Sequence, residues 1–457
     1  MNDSKNISKY IRKSNFLVAK QFILVLASIT LFFSIFPLFL KQTISSLYLK
    51  NVDPAVISNL NQGKPTIAYI TFKNRINLRC ERIWNFGKIK ICKYVIYSKK
   101  QLEKIARMSN VLGVSYTYTY KIIPRTTSTQ YNYNVNIYYK TMLMNKNSQY
   151  NGNITVGIVD TGVDFMNPYF FRNNVTVFKV LVDCRVYPCV VNNTSNFTYN
   201  QMLNVFNFSY NSELHYYQDF NGHGTFVTGE IVSQYSNYKG LAPGDYIVEI
   251  KAFNKNGTAS TDEILNALQW LYNNIPIYNI KALSFSWGSA EPCSPYNPII
   301  QAIKQIYLTY RIPIFVAAGN YGNFLGDIGS PACSQYVFAV GSWNCYENKL
   351  SWFSSVGPAE DRIKPDFVAC GTDIVNLRSQ TSNLGCLEGN CNLTVMSGTS
   401  MATPLAAACY SRFYQYYIDT YGRAPSPKDF IEYEKVNAIK YFIHKDVFTG
   451  YGFLQCP

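Results

Sequence analysis

"ITVGIVD", residues 154–160, is a short apolar run that ends in an aspartate. Similar runs follow it, and helical patterns lie between several of them; these runs are "YIVEIKAF" (246–253), "IKALSFSWG" (280–288), "PIFVAAGN" (313–320) and "YVFAVGSW" (336–343). One helix is predicted to begin after Ser260, because Glu263 stands where a capping box requires an acidic partner. Apolar strands that alternate with helices predict an α/β fold, with a mostly parallel doubly wound sheet and helices on both faces.

The ends of these runs predict where a functional site lies. In open parallel sheets, ligand sites form beyond the carboxyl ends of the strands. Three of the runs end in polar or small residues, namely Asp160, the segment Ser286–Gly288, and Asn320. We therefore expect these residues to meet at one edge of the sheet.

Composition limits the class of protein. The chain has 457 residues, 47% apolar and 15% charged, which is enough for one large folded domain and one or two small ones. A formal net charge of +15 is compatible with a protein that binds nucleic acid. Because the basic residues are scattered and form no arginine-rich stripe, we expect no nucleic-acid partner.

An uncharged run of 19 residues, Phe22–Leu40, predicts a transmembrane anchor, since that length spans about one bilayer. Basic residues precede it, so residues 1–21 are predicted to form a cytoplasmic tail and the rest of the chain to be exported. The alternative is a cleaved signal peptide, although no small-x-small cleavage site follows the run. The predicted localisation is a single-pass membrane protein with its large domain outside the cytoplasm, or that domain released by processing.

Twelve cysteines agree with export, because disulfides persist in oxidising compartments. Spacing suggests that Cys184 with Cys189 and Cys386 with Cys391 close small loops, and that Cys80 with Cys92 closes a hairpin. A zinc site is disfavoured, since the chain has no C-x2-C pair and only three histidines. Glycosylation triplets are frequent, and those between Asn192 and Asn207 indicate an exposed loop, inserted near the cleft.

The segment before residue 150 divides into two parts. Residues 45–120 have the pattern of a small α/β unit, with a strand at "PTIAYITFK" (65–73), a helix after Ser98 and a second strand at "VLGVSYTYTY" (111–120). Residues 121–150 show no clear period and are interpreted as a linker. Residues 151–457 are expected to form the large domain.

Three segments concentrate the residues that could carry chemistry. "GIVDTGVD" (157–164) places Asp160 at a strand end, "DFNGHGTFVTG" (219–229) places His223 between two glycines, and "MSGTSMATP" (396–404) offers Ser400 among small neighbours. A serine nucleophile needs a base and a group that orients the base. At a helix start, backbone N–H groups favour a developing oxyanion. Pro404 is expected near the first turn, where its missing N–H is tolerated.

These segments, in the order Asp, His, Ser, resemble the subtilisin-like serine proteases. Further segments match that family in order, including "VAAGN" (316–320), "IKPDFVACGTDI" (363–374) and "GYGFL" (450–454). The resemblance implies that Asp160 orients the imidazole, His223 acts as general base and then acid, and Ser400 attacks the scissile carbonyl. It implies that Asn320 and the Ser400 N–H hold the oxyanion.

The same resemblance implies how substrate and cofactors are handled. Protein or peptide substrates would pair as an added strand with Ser286, Trp287 and Gly288. The primary specificity pocket would lie between that segment and a second one, formed by Ala317, Ala318 and Gly319. No cofactor is implied for the chemistry. Structural calcium is common in the family, but no calcium-ligand loop can be recognised in the sequence. A Cys293–Cys333 disulfide is expected at the pocket rim.

Residues 45–120 resemble the prodomain of that family, which implies a folding helper and an intramolecular inhibitor. A maturation cut is then expected within 121–150. The chain also departs from the family pattern, most visibly at Phe226, which stands where a second histidine is usual, and at Cys370 and Leu405. No departure removes a member of the proposed triad.

Two other functions compete with an exported serine endopeptidase. The tripeptide "DTG" (160–162) matches the signature of aspartic proteases, but those enzymes need two carboxylates and the chain has no second such tripeptide. The other alternative is an inactive surface binding protein on the same scaffold. Retention of Asp160, His223 and Ser400 disfavours it.

Overall fold

The structure is a computed structural model that describes residues 49–122, 149–206, 214–291, 293–323 and 326–457. Residues 49–122 form the N-terminal unit. Its four strands are all antiparallel and lie in the order β2-β3-β1-β4, where β1 is Thr66–Phe72, β2 Arg82–Phe86, β3 Ile89–Ile96 and β4 Val111–Ser115. Helices α1 (Pro54–Asn61) and α2 (Lys99–Ala106) pack on one face of this sheet through Val56, Leu60, Leu102 and Ile105.

A further strand, β5 (Thr119–Ile122), leaves this sheet and pairs with the large unit instead. The sequence predicts one strand over 111–120 and a linker from 121. The structure divides that stretch into β4 and β5, and β5 crosses the predicted boundary. The division reflects the partners, since β4 pairs with β1 whereas β5 pairs with strands far along the chain.

The large unit is built on a nine-stranded sheet. In chain order, the remaining strands of the protein are β6 Thr155–Asp160, β7 Phe171–Arg172, β8 Val175–Thr176, β9 Phe178–Asp183, β10 Val190–Asn193, β11 Tyr246–Lys251, β12 Thr258–Ser260, β13 Ile280–Phe285, β14 Trp287–Gly288, β15 Ile314–Ala317, β16 Phe338–Asn344, β17 Lys349–Leu350, β18 Phe367–Cys370, β19 Ile374–Leu377 and β20 Leu393–Met396. The helices are α3 Tyr199–Val205, α4 Leu214–Tyr217, α5 His223–Val232, α6 Thr261–Asn274, α7 Pro298–Tyr310, α8 Thr399–Tyr421 and α9 Pro427–Asn437.

The order of the main sheet is β10-β9-β11-β6-β13-β15-β16-β17, with β18 paired to β16. Strands β9, β11, β6, β13, β15, β16 and β18 pair in parallel, and β10 and β17 add antiparallel edges. The predicted mostly parallel sheet is therefore confirmed. Because β6, β13 and β15 are neighbours and parallel, their carboxyl ends meet at one edge, as the sequence predicts.

Helices cover both faces of this sheet, again as predicted. One hydrophobic cluster contains buried residues of α5 and α8, such as Phe226 and Leu405. The cluster on the other face contains residues of α6 and α7, such as Leu268 and Ile303. Helix α6 begins at the predicted capping box, in which Ser260 and Glu263 bond reciprocally. The N-terminal unit joins the second cluster through Trp84 and Phe86, so it docks on the α6–α7 side.

The region between Asp160 and His223 contains a strand that the sequence did not predict. This strand, β9, is a paired member of the main sheet between β10 and β11, and it precedes the predicted exposed loop. The Cys184–Cys189 disulfide follows β9 directly. Among the asparagines that glycosylation triplets mark between 192 and 207, Asn193 and Asn196 are exposed and Asn192 is half-buried, while Asn207 lies outside the described residues.

All twelve cysteines are paired. The four pairings expected from the sequence are present, including Cys80–Cys92 and Cys293–Cys333. The structure adds Cys345–Cys370 and Cys409–Cys456, which join segments 25 and 47 residues apart.

The predicted single-pass membrane localisation is contradicted. Within the part of the chain that the structure describes, no helix combines the length and the apolar character needed to cross a membrane. The run Phe22–Leu40, on which that prediction is based, lies outside the described residues, as does the predicted cytoplasmic tail.

Candidate active site

Asp160 and His223 are hydrogen-bonded at the carboxyl edge of the sheet. Asp160 is the last residue of β6 and His223 is the first residue of α5. The Nδ1 atom of His223 lies 2.8 Å from Oδ1 of Asp160, and both side chains are fully buried. The other imidazole nitrogen, Nε2, has no hydrogen-bond partner among the described residues. An imidazole held this way has one nitrogen oriented by a carboxylate and the other able to accept a proton.

The two positions that flank His223 each require glycine, for different structural reasons. Gly222 has a φ of 98°, a conformation that side chains rarely adopt, and a Cβ there would lie 2.3 Å from a methyl group of Leu384. At Gly224 a Cβ would lie 2.0 Å from the carbonyl oxygen of Gly162. The start of α5 can therefore approach the loop after Asp160 closely, and this closeness brings the imidazole to the carboxylate.

Asp219 fixes both loops that carry this pair. Its carboxylate accepts from the hydroxyl of Thr161, from the backbone N–H groups of Asn221 and Gly222, and from both the N–H and the hydroxyl of Thr225, at 2.7–3.1 Å. Asp219 is not among the site residues predicted from the sequence. The sequence does contain a pattern that could have predicted it, since an Asp three residues before a glycine at a helix start typically accepts hydrogen bonds from the following turn.

Ser400 is the second residue of α8 and is fully buried. Its hydroxyl donates to the backbone carbonyl of Ser286 at 2.9 Å. In return, the Ser286 hydroxyl donates to the carbonyl of Ser400 at 2.8 Å. Pro404 explains why that carbonyl is available. It is the sixth residue of α8, near the first turn as predicted but beyond the positions whose N–H groups lack helical partners, and it lacks the N–H that would bond the carbonyl four residues earlier.

Asn320 lies beside the start of α8. Its amide oxygen accepts from the backbone N–H of Thr399 at 2.9 Å and from the Thr399 hydroxyl at 3.1 Å. Thr399 also accepts, through its hydroxyl oxygen, from the N–H of Gly319. These bonds require the amide oxygen of Asn320 to face Thr399. The NH2 group of Asn320 is therefore the end that does not face Thr399, and Ser400 is the next residue along the chain.

The segment predicted to form the second pocket wall lies at the end of β15. Ala317 is the last residue of β15, and Ala318 follows it with its N–H bonded to the Val340 carbonyl. Both alanines are buried. The predicted substrate-binding residues and Asn320 thus all lie at or just after the ends of the neighbouring strands β13 and β15; they are Ser286–Gly288 after β13, and Ala317–Gly319 and Asn320 at the end of β15.

The cleft edge at Trp287 and Gly288 is occupied by the chain itself. Strand β5 lies antiparallel between β12 and β14, with Ile122 opposite Trp287 and Lys121 opposite both Gly288 and Thr258. The N–H of Ile122 also donates to the carbonyl of Gly257 at 3.0 Å. The sequence predicted one side of this arrangement, at β14. It missed β12, for which "NGT" (256–258), a turn followed by a β-branched residue, is the available signal.

Two further ionisable groups lie buried under the site. Burial, reinforced by the nearby carboxylates of Asp160 and Asp219, raises the pKa of Glu249 well above its usual range. One Glu249 oxygen accepts from the hydroxyl of Thr228 on α5. Burial also lowers the pKa of Lys251 to about 8, and its ammonium donates to the carbonyl of Gln218. Burial therefore favours the neutral form of the Glu249 carboxyl, which lies close enough to Asp160 for the two carboxyl groups to interact.

No group of three or more His, Cys, Asp or Glu side chains with the arrangement of a metal site occurs within residues 49–122, 149–206, 214–291, 293–323 and 326–457. The expectation of structural calcium stays untested.

Comparisons with known proteins agree with this geometry. The model of the subtilase family matches residues 151–433, more than half of the chain. The chain is 32% identical over 210 residues to the serine protease AprX of Bacillus subtilis (strain 168), a match that covers 41% of this chain and 47% of AprX. It is 29% identical over 196 residues to subtilisin DY of Bacillus licheniformis, covering 42% of this chain and 63% of that protein. The chain thus spans less than two thirds of either relative.

Among solved structures, fervidolysin from Fervidobacterium pennivorans, a keratinolytic enzyme related to subtilisin, superposes with a TM-score of 0.62 at 17% identity. That superposition covers 86% of this chain and 60% of fervidolysin. Sphericase superposes with a TM-score of 0.54 at 22% identity, over 72% of this chain and 99% of that one. These likenesses support the fold, and the family match extends over the segments that hold Asp160, His223 and Ser400. The chain belongs to the subtilase family.

Proposed function

We propose that the chain is a serine endopeptidase that hydrolyses peptide bonds through Asp160, His223 and Ser400. The observation that carries the proposal is the buried 2.8 Å contact between Asp160 and His223, whose second nitrogen has no partner among the described residues. It also argues against an aspartic protease, since the partner of Asp160 is an imidazole and not a second carboxylate.

The first step transfers a proton and forms a covalent bond. The Ser400 hydroxyl leaves the carbonyl of Ser286 and turns to Nε2 of His223, which takes its proton as the oxygen attacks the substrate carbonyl. Asp160 keeps Nδ1 in place and stabilises the imidazolium. The imidazolium then gives its proton to the departing amine, which leaves an acyl-enzyme. Water, deprotonated by the same imidazole, hydrolyses that ester and restores Ser400.

Charge on the carbonyl oxygen in the transition state needs donors. We assign the NH2 of Asn320 and the backbone N–H of Ser400 to this role. Thr399 supports the assignment, because it bonds the amide oxygen and so fixes the orientation of the amide. Removing one such donor typically costs about 3 kcal/mol of transition-state stabilisation.

The N-terminal unit is proposed to act as an intramolecular inhibitor. Its β5 fills the slot between β12 and β14 that a substrate strand would use. Side chains of the same unit hold α6: Tyr69 and Lys93 bond Asp262, and the Trp84 indole N–H donates to Asn266 at 2.9 Å. We expect the maturation cut after Ile122, within the predicted linker. An interior segment of a chain, not a terminus, lies in the cleft, which supports cleavage within chains.

The six disulfides support an oxidising compartment as the working environment, as export would provide.

Labelling with a fluorophosphonate tests the proposal, because this reagent reacts only with an activated serine. We expect the purified chain to be labelled, and Ser400→Ala and His223→Ala variants not to be. Folded protein that is neither labelled nor able to cleave denatured casein would instead support an inactive binding protein on this scaffold.

A further inference from the structure

We propose that the pocket filled by Tyr120 makes this enzyme select tyrosine in its substrates, three positions before the residue that pairs with Ser286. This inference rests on the proposed peptidase function and names a substrate preference for it. The observations come from β5, which shows how an extended chain fits the cleft.

Tyr120 is the anchoring side chain of β5. It is fully buried, although its neighbours Thr119 and Lys121 are exposed. The phenol ring meets the ring of Trp287 edge to face, with centroids 5.8 Å apart, and Trp287 is in turn stacked on Phe285. A planar ring at this position therefore buries its whole surface in a rigid aromatic pocket, which favours aromatic over aliphatic residues.

The floor of the pocket is polar. The amide nitrogen of Asn297 donates to the Tyr120 hydroxyl at 3.1 Å, and the hydroxyl lies 3.3 Å from the amide oxygen. Ser330 lies beside them, with its hydroxyl 3.5 Å from the Asn297 nitrogen. Asn297 and Ser330 are each only 1% exposed. Groups buried this deeply need partners within the protein or the ligand.

The orientation of the Asn297 amide is fixed because the same side chain caps helix α7. Its oxygen caps α7 by accepting from the backbone N–H groups of Ile299 and Ile300, at 2.9 and 3.4 Å. The amide cannot turn over without losing this cap. Its NH2 end therefore points toward the aromatic pocket, and a ring that ends in a hydroxyl satisfies it.

Phenylalanine fills the same apolar volume but leaves the Asn297 donor with only the long contact to Ser330. Sites built to bond a substrate hydroxyl reject the analogue that lacks it more strongly than apolar pockets reject a missing methylene, because buried polar groups lose their partner. We expect tyrosine to be preferred over phenylalanine by about tenfold or more in kcat/KM.

The register of β5 defines the test peptides. Lys121 faces Gly288 and Ile122 faces Trp287, so the next residue of an extended chain faces Ser286, whose carbonyl is bonded to the nucleophile. The substrates are acetyl-Xaa-Lys-Ile-Leu-aminomethylcoumarin, with tyrosine, phenylalanine or leucine at Xaa. The kcat/KM values for the three peptides are measured on one preparation of the full chain. The fraction of molecules with an open cleft then cancels in the ratio of the tyrosine value to the phenylalanine value.

Asn297→Ser is the decisive variant, since serine keeps a cap for α7 but cannot reach the phenol. We expect its tyrosine-to-phenylalanine ratio to fall to within about twofold of one. Asn274→Ser, at an asparagine near the end of α6 that bonds only its own helix, is the matched control and should keep the preference. In the full chain, Tyr120→Phe should speed fluorophosphonate labelling, and should add nothing in the Asn297→Ser background.

The outcomes separate the two proposals. Hydrolysis of all peptides with a ratio near one in the unchanged chain, or a preference that survives Asn297→Ser, would overturn tyrosine selection and leave the peptidase standing. No hydrolysis together with no labelling of Ser400 would overturn both.

Discussion

Ser286 and Ser400 are joined by two reciprocal hydrogen bonds, in which each hydroxyl donates to the backbone carbonyl of the other residue, at 2.8 and 2.9 Å. One bond exists because Pro404 leaves the Ser400 carbonyl without its helical partner. The other ties the resting nucleophile to the carbonyl that faces the next residue of a bound strand. Under the proposed mechanism we therefore expect substrate binding to release the Ser400 hydroxyl, since a substrate N–H at the Ser286 carbonyl would compete with that hydroxyl.

Replacing Ser286 with alanine should lower kcat more than it raises KM. The backbone pairing of β14 remains, but the buried carbonyl of Ser400 loses its donor, at a cost of about 1–3 kcal/mol. Steady-state kinetics would measure a fall in kcat of roughly tenfold to a hundredfold. Pro404→Ala restores a helical N–H to that carbonyl, so the double variant should recover part of the loss. A double variant no better than Ser286→Ala would contradict this account.

Replacing Ser400 with alanine should abolish peptide hydrolysis while the protein stays folded. The hydroxyl makes one neutral hydrogen bond, worth about 1 kcal/mol, so the change in unfolding free energy should be small. Hydrolysis of a fluorogenic peptide and the thermal midpoint by circular dichroism test the two halves separately. Residual turnover above the background of the His223→Ala variant would show that another nucleophile acts.

Hydrolysis should decline in acid, because a protonated His223 cannot accept the Ser400 proton. The measurement is kcat/KM against pH, on conditions where circular dichroism shows intact protein. The control is the labelled fraction with fluorophosphonate across the same pH range, which should decline in parallel. Constant kcat/KM through the acid range would contradict the assignment of His223 as base.

Asp219→Asn should reduce both stability and kcat. The carboxylate accepts from five donors, and an amide would place its NH2 against some of them. Disruption of such a buried network typically costs about 2–4 kcal/mol. Urea unfolding measures the first effect and single-turnover acylation the second. Asp262→Asn, at an acidic residue on α6, is the control and should leave the rate of acylation unchanged once the cleft is open.

Asp245 should make the large unit less stable as pH rises. Burial raises the pKa of this carboxyl to about 7, against the opposing effects of Ser411, the Ile154 N–H, Arg172 and Arg412. Below about pH 4 folded and unfolded states are both protonated. Between about 4 and 7 only the unfolded state loses its proton, so unfolding becomes easier, and above 7 the effect is constant.

The test compares Asp245→Asn with the unchanged chain by urea unfolding at pH 4.5 and pH 8. Asparagine does not titrate, so the variant should gain relative stability at the higher pH, by at most about 4 kcal/mol for a shift of this size. A difference in unfolding free energy that does not change between the two pH values would contradict the shifted titration.

Much of the fold was predictable from the sequence. Strands buried on both faces are continuous apolar runs, so β6, β11, β13, β15 and β16 are legible without knowledge of their partners. The strand β9 was not predicted, because polar triplets and a cysteine pair follow it closely and mark the region as a loop. Its place in the sheet is decided by pairing with β11, which lies more than sixty residues away.

The site was predictable where residues adjoin a glycine or a strand end, as at Asp160 and His223. It was not predictable where contacts join distant positions with ordinary sequence surroundings. Tyr120 and Asn297 are 177 residues apart, and neither belongs to a recognisable motif. Pro404 shows the same limit at short range, since its role depends on which carbonyl it leaves free and not on its presence in a helix.

The middle strand of the three-stranded sheet, β5, belongs to the N-terminal unit, whose removal by a maturation cut is proposed above. When that strand departs, two short edges face one another across a gap that is one backbone wide, and each has amides and carbonyls awaiting partners. Only a polypeptide in an extended conformation, with unpaired backbone groups on both edges, fits such a gap. Compact globular proteins keep their strands paired and would resist entry, so under the proposed function we expect denatured chains and long surface loops to be the better substrates.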